Sequence, residues 1–140
     1  MKARSEDQAF SSAEKVAAVA TKIVFLLDKV HEALRQLSSN NVTSPLITPY
    51  ALLTEEYALR FRANILRTDA ARFVMSDFEK SHDELMNSLS AIEAKLNKVT
   101  NPDDLSDLLN SLMLFSNSII SKKKQIISLL FENLVDATAH

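Results

Sequence analysis

The chain has 140 residues and not one glycine. Average usage of ~7% would place about ten in a chain of this length. Phosphate-cradling loops, dinucleotide fingerprints and tight hairpin turns all depend on glycine for positive φ or close backbone approach. Their absence in ordinary form argues against an ATP-binding kinase domain and a Rossmann half, and it disfavours a β-rich fold. Long helices tolerate such a composition, so the sequence predicts an all-α protein.

Apolar residues make up 46% and charged residues 24%, ordinary values for a chain that buries a core, and the length fits one domain. The longest apolar runs, such as "IVFLL" at 23 to 27, fall far short of the ~20 residues that cross a bilayer. Sixteen Lys plus Arg against eighteen Asp plus Glu provide no general attraction to nucleic acid or anionic lipid. With no cysteine, disulfides, thiolate nucleophiles, zinc–thiolate sites and iron–sulfur clusters are all excluded. The N-terminus, "MKARSEDQAFSSAEK", lacks an apolar signal core, which leads us to expect a cytoplasmic protein.

Apolar periodicity places the helices. Residues 1–10 read as a disordered tail. Ser11 and Glu14 form a possible capping box, and Val16, Ala20, Ile23, Leu27, Val30, Leu34 and Leu37 follow as one heptad seam, so a helix is predicted over about 11–38. The stretch 38–49 gathers Ser, Asn, Thr and two prolines and reads as the main loop. Thr48 and Pro49 then look like an N-cap followed by proline at the first helical position. From there to Val99 nothing forces a break, although the seam changes register. Leu59, Ala63, Leu66, Ala70 and Phe73 lie on one line; Met75, Phe78, His82, Leu85, Leu89, Ile92, Leu96 and Val99 lie on another. We expect one continuous or mildly bent helix over 49–99, or two if it breaks near 73–78, where Ser76 and Glu79 offer a second capping box. "TNPDD" at 100–104 opens the last helix, predicted over 102–136. The whole reads as an antiparallel bundle of three long helices, four if the middle segment breaks, with coiled-coil-like seams. Helices this long expose much of their length, which favours a dimer.

"HDELMNSLSAI", His82 to Ile92, resembles the phosphoacceptor box of one class of sensor histidine kinases, His-Asp-x-Leu-Gly-Gln-x-Leu-Ser-x-Ile, carried on the first helix of a dimerising hairpin. "NPDDLSDLL" falls where that family turns into its second helix. The resemblance implies His82 as phosphoacceptor and Asp83 as the group that orients or deprotonates it. Met86 and Asn87 replace the Gly-Gln pair, and the glycine-free chain has no nucleotide-binding domain, so the implied role is a phosphotransfer module without kinase activity. Read from the pattern alone, His82 takes a seam position between Phe78 and Leu85.

Other candidates are weaker. His31 has Glu32 beside it and Arg35 one turn on, and reads as a surface or boundary histidine. His140 is terminal. Glu79 and His82 have a Glu-x-x-His spacing only once, short of a diiron bundle. Arg60, Arg62, Arg67 and Arg72, with Phe61 and Phe73 among them, form a basic segment, offset by Glu56 at i, i+4 from Arg60 and Asp69 at i, i+3 from Arg72. Lys122, Lys123 and Lys124 interrupt the last apolar stripe, and residues 119 to 135 also read as an amphipathic helix for a membrane surface. No catalytic, metal or cofactor-binding set emerges. The expected function is therefore that of a non-enzymatic helical-bundle protein acting on a protein partner or on its own copy, with Leu27, Leu34, Leu89, Leu96 and Leu130 structural. Phosphotransfer through His82 and peripheral membrane binding are the alternatives.

Overall fold

The structure, a computed structural model, describes residues 4–138, with side chains as far as residue 133. His140 and the surroundings of Leu134 and Val135 lie outside the described residues. Five helices pack together: α1 (Ala13–Ser39), α2 (Pro49–Thr68), α3 (His82–Leu96), α4 (Pro102–Ile120) and α5 (Lys124–Thr138). Short 3₁₀ turns occupy Ser5–Asp7 and Ala70–Phe73. Among the described residues no helix is long and apolar enough to cross a membrane.

Helix α1 is the hub, packing on α2, α3 and α4. The remaining contacts, α2 on α4, α4 on α5 and α5 on α3, close a ring, whereas the consecutive α3 and α4 barely touch. Every residue of the predicted α1 seam is buried, as are Val19 and Leu26 beside it. That wide stripe is what a helix needs to serve several neighbours at once. Cross-pairs fix direction. Asp28 meets Arg60 and His31 meets Glu56, so α1 and α2 are antiparallel. Lys22 reaches Glu93 near the end of α3, while Gln8, just ahead of α1, bridges Ser81, the N-cap of α3, so α1 and α3 run in parallel.

The caps show why the helices begin where they do. Thr48 Oγ1 accepts from the Ala51 N–H at 3.1 Å with Pro49 behind it, and Asn101 Oδ1 accepts from the Asp104 N–H at 2.9 Å with Pro102 behind it, both as predicted. In α1 the cap is Ser12, which accepts from the Lys15 N–H, so the expected box at Ser11 and Glu14 is out of frame by one residue.

The expected helix over 49–99 is two helices. Between them, residues 69–81 form a 3₁₀ turn and an irregular segment, and the capping box that restarts the helix is Ser81 with Glu84, not Ser76 with Glu79. The change of seam register was the mark of this break. Phe73, Met75 and Phe78 are buried, but they enter the core from the 3₁₀ turn and the irregular backbone after it, not from a helix seam. That backbone finds partners in the supposed tail: the Met75 N–H donates to the Phe10 carbonyl at 2.8 Å, and the Ala9 N–H donates to the Lys80 carbonyl at 3.0 Å. Residues 8–10 are thus a buried strap. Phe10 is fully enclosed, with its ring edge-on to Phe78 at 5.2 Å. Residues 1–3 of the expected tail lie outside the described residues.

The expected helix over 102–136 is also two. It stops at Ile120, where the Lys122 N–H donates to the Ile119 carbonyl and the Lys123 N–H to the Ser118 carbonyl, closing the helix end. Lys122 and Lys123 lie in this exposed turn and Lys124 opens α5, so they do not interrupt a continuous stripe; the Lys124 ammonium donates to the Ser76 carbonyl at 2.8 Å. Such helix ends usually carry glycine at the left-handed position. Here the four positive-φ residues among those described are Phe10 (66°), Asn41 (56°), Asp77 (60°) and Lys122 (55°). Asn41 and Asp77 are residue types that tolerate this region, whereas Phe10 and Lys122 resist it.

Candidate interaction surface

Helix α2 buries Leu52, Glu56, Leu59, Ala63 and Leu66 against its neighbours. At 100° per residue, Tyr50, Tyr57 and Phe61 lie within about 40° of one another on the opposite side. They are 79%, 64% and 67% exposed, and Leu46, just ahead of the helix, is 89% exposed. Phe25 on α1, the other exposed aromatic among the described residues, is 40% exposed and has the ammonium groups of Lys22 and Lys29 over its ring at 4.7 and 5.5 Å. The α2 rings have no such cover among the described residues.

Charge is withdrawn from this face by what lies behind it. Glu56 is buried with its carboxylate against the Nδ1 of His31 at 3.2 Å and the Nη2 of Arg60 at 3.4 Å. Arg60 in turn donates to Asp28 at 2.9 Å. Burial pulls the Arg60 pKa down, but the Asp28 hydrogen bond and the negative charges of Glu56 and Asp28 more than offset it, so it ends above the ordinary guanidinium value. On the other flank, Arg62 donates through Nε to Asn117 on α4 at 2.6 Å and through Nη1 to the Ala58 carbonyl at 3.0 Å. One oxygen of Glu55 is also enclosed. The exposed residues from position 50 to 66 are therefore Tyr50, Ala51, Thr54, Tyr57, Phe61 and Asn64, none of them charged. A surface helix ordinarily puts its charges opposite its core; α2 puts aromatic rings there.

The arginines read in the sequence as a basic segment do not act together. Arg60 and Arg62 are turned to α1 and α4, Arg67 donates to Asn64, and Arg72 pairs with Asp69. His31, read as a boundary histidine, is half-buried and belongs to the α1–α2 lock. A carboxylate beside an imidazole is also how a general base is oriented, but here Glu56 spends its other contacts on Arg60 and the assembly ties two helices together.

His82 is the first residue of α3 and half-buried, next to the strap, where Ser81 bridges Gln8. Desolvation lowers its pKa below the ordinary imidazole value; Asp83 opposes that and Lys15 adds to it. Its Nδ1 is enclosed without a hydrogen-bond partner among the described residues. Asp83 is exposed. The box that resembles a phosphoacceptor helix thus begins at the helix start, with no helical turn ahead of the histidine. At the other end of the chain, Ile119, Ile127 and Phe131 of the supposed membrane-facing helix are buried in the core, leaving Ile126 and Leu129 exposed.

The comparisons with known proteins found no matching family model, no matching curated protein and no matching solved structure. The α2 stripe was missed in the sequence, where Phe61 was read only as a spacer between arginines. Its signal was the spacing 50, 57, 61, set half a turn away from the seam of Leu59, Ala63 and Leu66.

Proposed function

We propose that this is a non-enzymatic interaction protein, which works by offering the outer face of α2 to another helix. The observation that carries the reading is the uncharged aromatic stripe of Tyr50, Tyr57 and Phe61 opposite the core. Aromatic residues supply the central anchors of protein interfaces, and charged residues are depleted there. The largest contiguous apolar patch on a soluble domain, typically about 300–600 Å², is often such a surface. The five-helix core, locked by Glu56 behind the stripe, holds α2 pre-formed, so little ordering opposes association.

A benzophenone amino acid placed at position 57 or 61 in the native host, with irradiation, tests this. A cross-linked product of defined mass is expected at both positions and not at Ser90, an exposed position on α3. Absence of a product, or equal labelling at Ser90, overturns the reading.

A further inference from the structure

We propose that the helix received by the α2 face is the α2 of a second copy, packed antiparallel across a twofold axis beside Tyr57. This rests on α2's outer face being an interaction surface, and it commits that surface to one occupant.

Charge is the first argument. A twofold contact sets each residue near its axis against its own copy, so any charge there meets its like. Few surfaces of a chain with 24% charged residues satisfy that condition over four helical turns. The α2 face does so from Tyr50 to Asn64, because Glu56, Arg60 and Arg62 are drawn inward by His31, Asp28 and Asn117. A nucleic acid or an anionic membrane would instead require outward cations in this span.

Size is the second. With the axis beside Tyr57, the midpoint of the uncharged span from Tyr50 to Asn64, antiparallel register sets Phe61 of each copy beside Thr54 of the other and Tyr50 over Asn64. Large side chains meet smaller ones on both sides of the axis, the interdigitation that helix pairing needs. A centre before residue 55 or beyond residue 59 leaves Phe61 or Tyr50 without a counterpart on α2.

Area sets the size class. At ~150–250 Å² per aromatic side chain, the exposed fractions of the three rings amount to roughly 400 Å². Leu46 and Thr54 bring the face to roughly 500–600 Å², below the ~800 Å² per partner of a standard interface. The expected complex is a reversible dimer dissociating at about 10–100 µM.

The natural chain has no cysteine, so single replacements map the axis without background. Under mild oxidation Tyr57→Cys should form a covalent dimer, since a residue at the axis meets itself at a separation a disulfide spans. Tyr50→Cys alone should not, whereas Tyr50→Cys mixed with Asn64→Cys should give the mixed dimer. Sedimentation of the unmodified chain up to about 500 µM, several times the expected dissociation constant, should show the dimer. Tyr57→Glu, which sets two carboxylates across the axis with the same helical circular dichroism, should weaken it at least tenfold. A chain monomeric throughout, a dimer indifferent to Tyr57→Glu, or faster cross-linking of Ser90→Cys than of Tyr57→Cys overturns the proposal. A monomeric chain that still cross-links in cells at position 57 to a product of a different mass overturns the second copy alone; no product at all removes the wider reading with it.

Discussion

Lys122→Gly should stabilise this protein, although glycine usually weakens helical proteins. Lys122 sits at φ 55° just past the end of α4, where its N–H and that of Lys123 close the helix onto Ile119 and Ser118. Holding an L-residue there costs about 1–2 kcal/mol. Glycine removes that cost but adds about 0.5–1 kcal/mol through its freer unfolded chain. The Lys122 side chain is exposed, so little packing is lost. The net expectation is about 0.5–1 kcal/mol of added stability, a rise in melting temperature of about 2–4 °C. Urea unfolding followed by far-UV circular dichroism reads it, as a higher midpoint at unchanged slope. Were the helix continuous through 124, glycine would fall inside it and cost about 1 kcal/mol. A lower midpoint would therefore refute both the strain argument and the break between α4 and α5. Phe10→Gly supplies the contrast: its φ is 66°, but the loss of a fully buried ring costs about 3–5 kcal/mol and swamps the relief.

Further outcomes follow from the same interior. Glu56→Ala removes the acceptor shared by His31 and Arg60, and thermal unfolding should show a loss of about 1–3 kcal/mol. Ser116→Ala should be neutral or stabilising by up to about 1 kcal/mol, because the Ser116 hydroxyl is buried with no partner among the described residues. The pKa of His82 lies below the ordinary 6.5, so between those two values the folded chain binds fewer protons than the unfolded chain. The His82 contribution to stability is therefore complete above pH 6.5 and is lost as pH falls through 6.5 toward the folded value. Unfolding midpoints across that window should be less pH-dependent in His82→Gln than in the parent.

Much of this fold can be read from the sequence because it is local. The α1 seam from Val16 to Leu37 is continuous, and the starts at Thr48–Pro49 and Asn101–Pro102 are spelled by residues that cap by themselves. The breaks at 69–81 and 121–123 are different. A helix end is ordinarily flagged by glycine, and here Asp77 and Lys122 take the left-handed turns with no compositional mark. What makes the 69–81 segment tenable is the strap at residues 8–10, which lends backbone partners to Met75 and Lys80 from 65 and 71 residues away. No window of local periodicity contains that pairing. The α2 stripe was legible in principle, but its charged neighbours drew the reading toward Arg60 and Arg67; only the contacts of Glu56, Arg60 and Arg62 reveal that those charges point elsewhere.

The claim that α2's bare aromatic face is the working surface is met most directly by photo-cross-linking from position 57 in the native host, read by product mass. The account predicts a product at position 57, at twice the mass of the chain if the occupant is a second copy, and none at Ser90. Equal labelling at the two positions, or none at position 57, would contradict it.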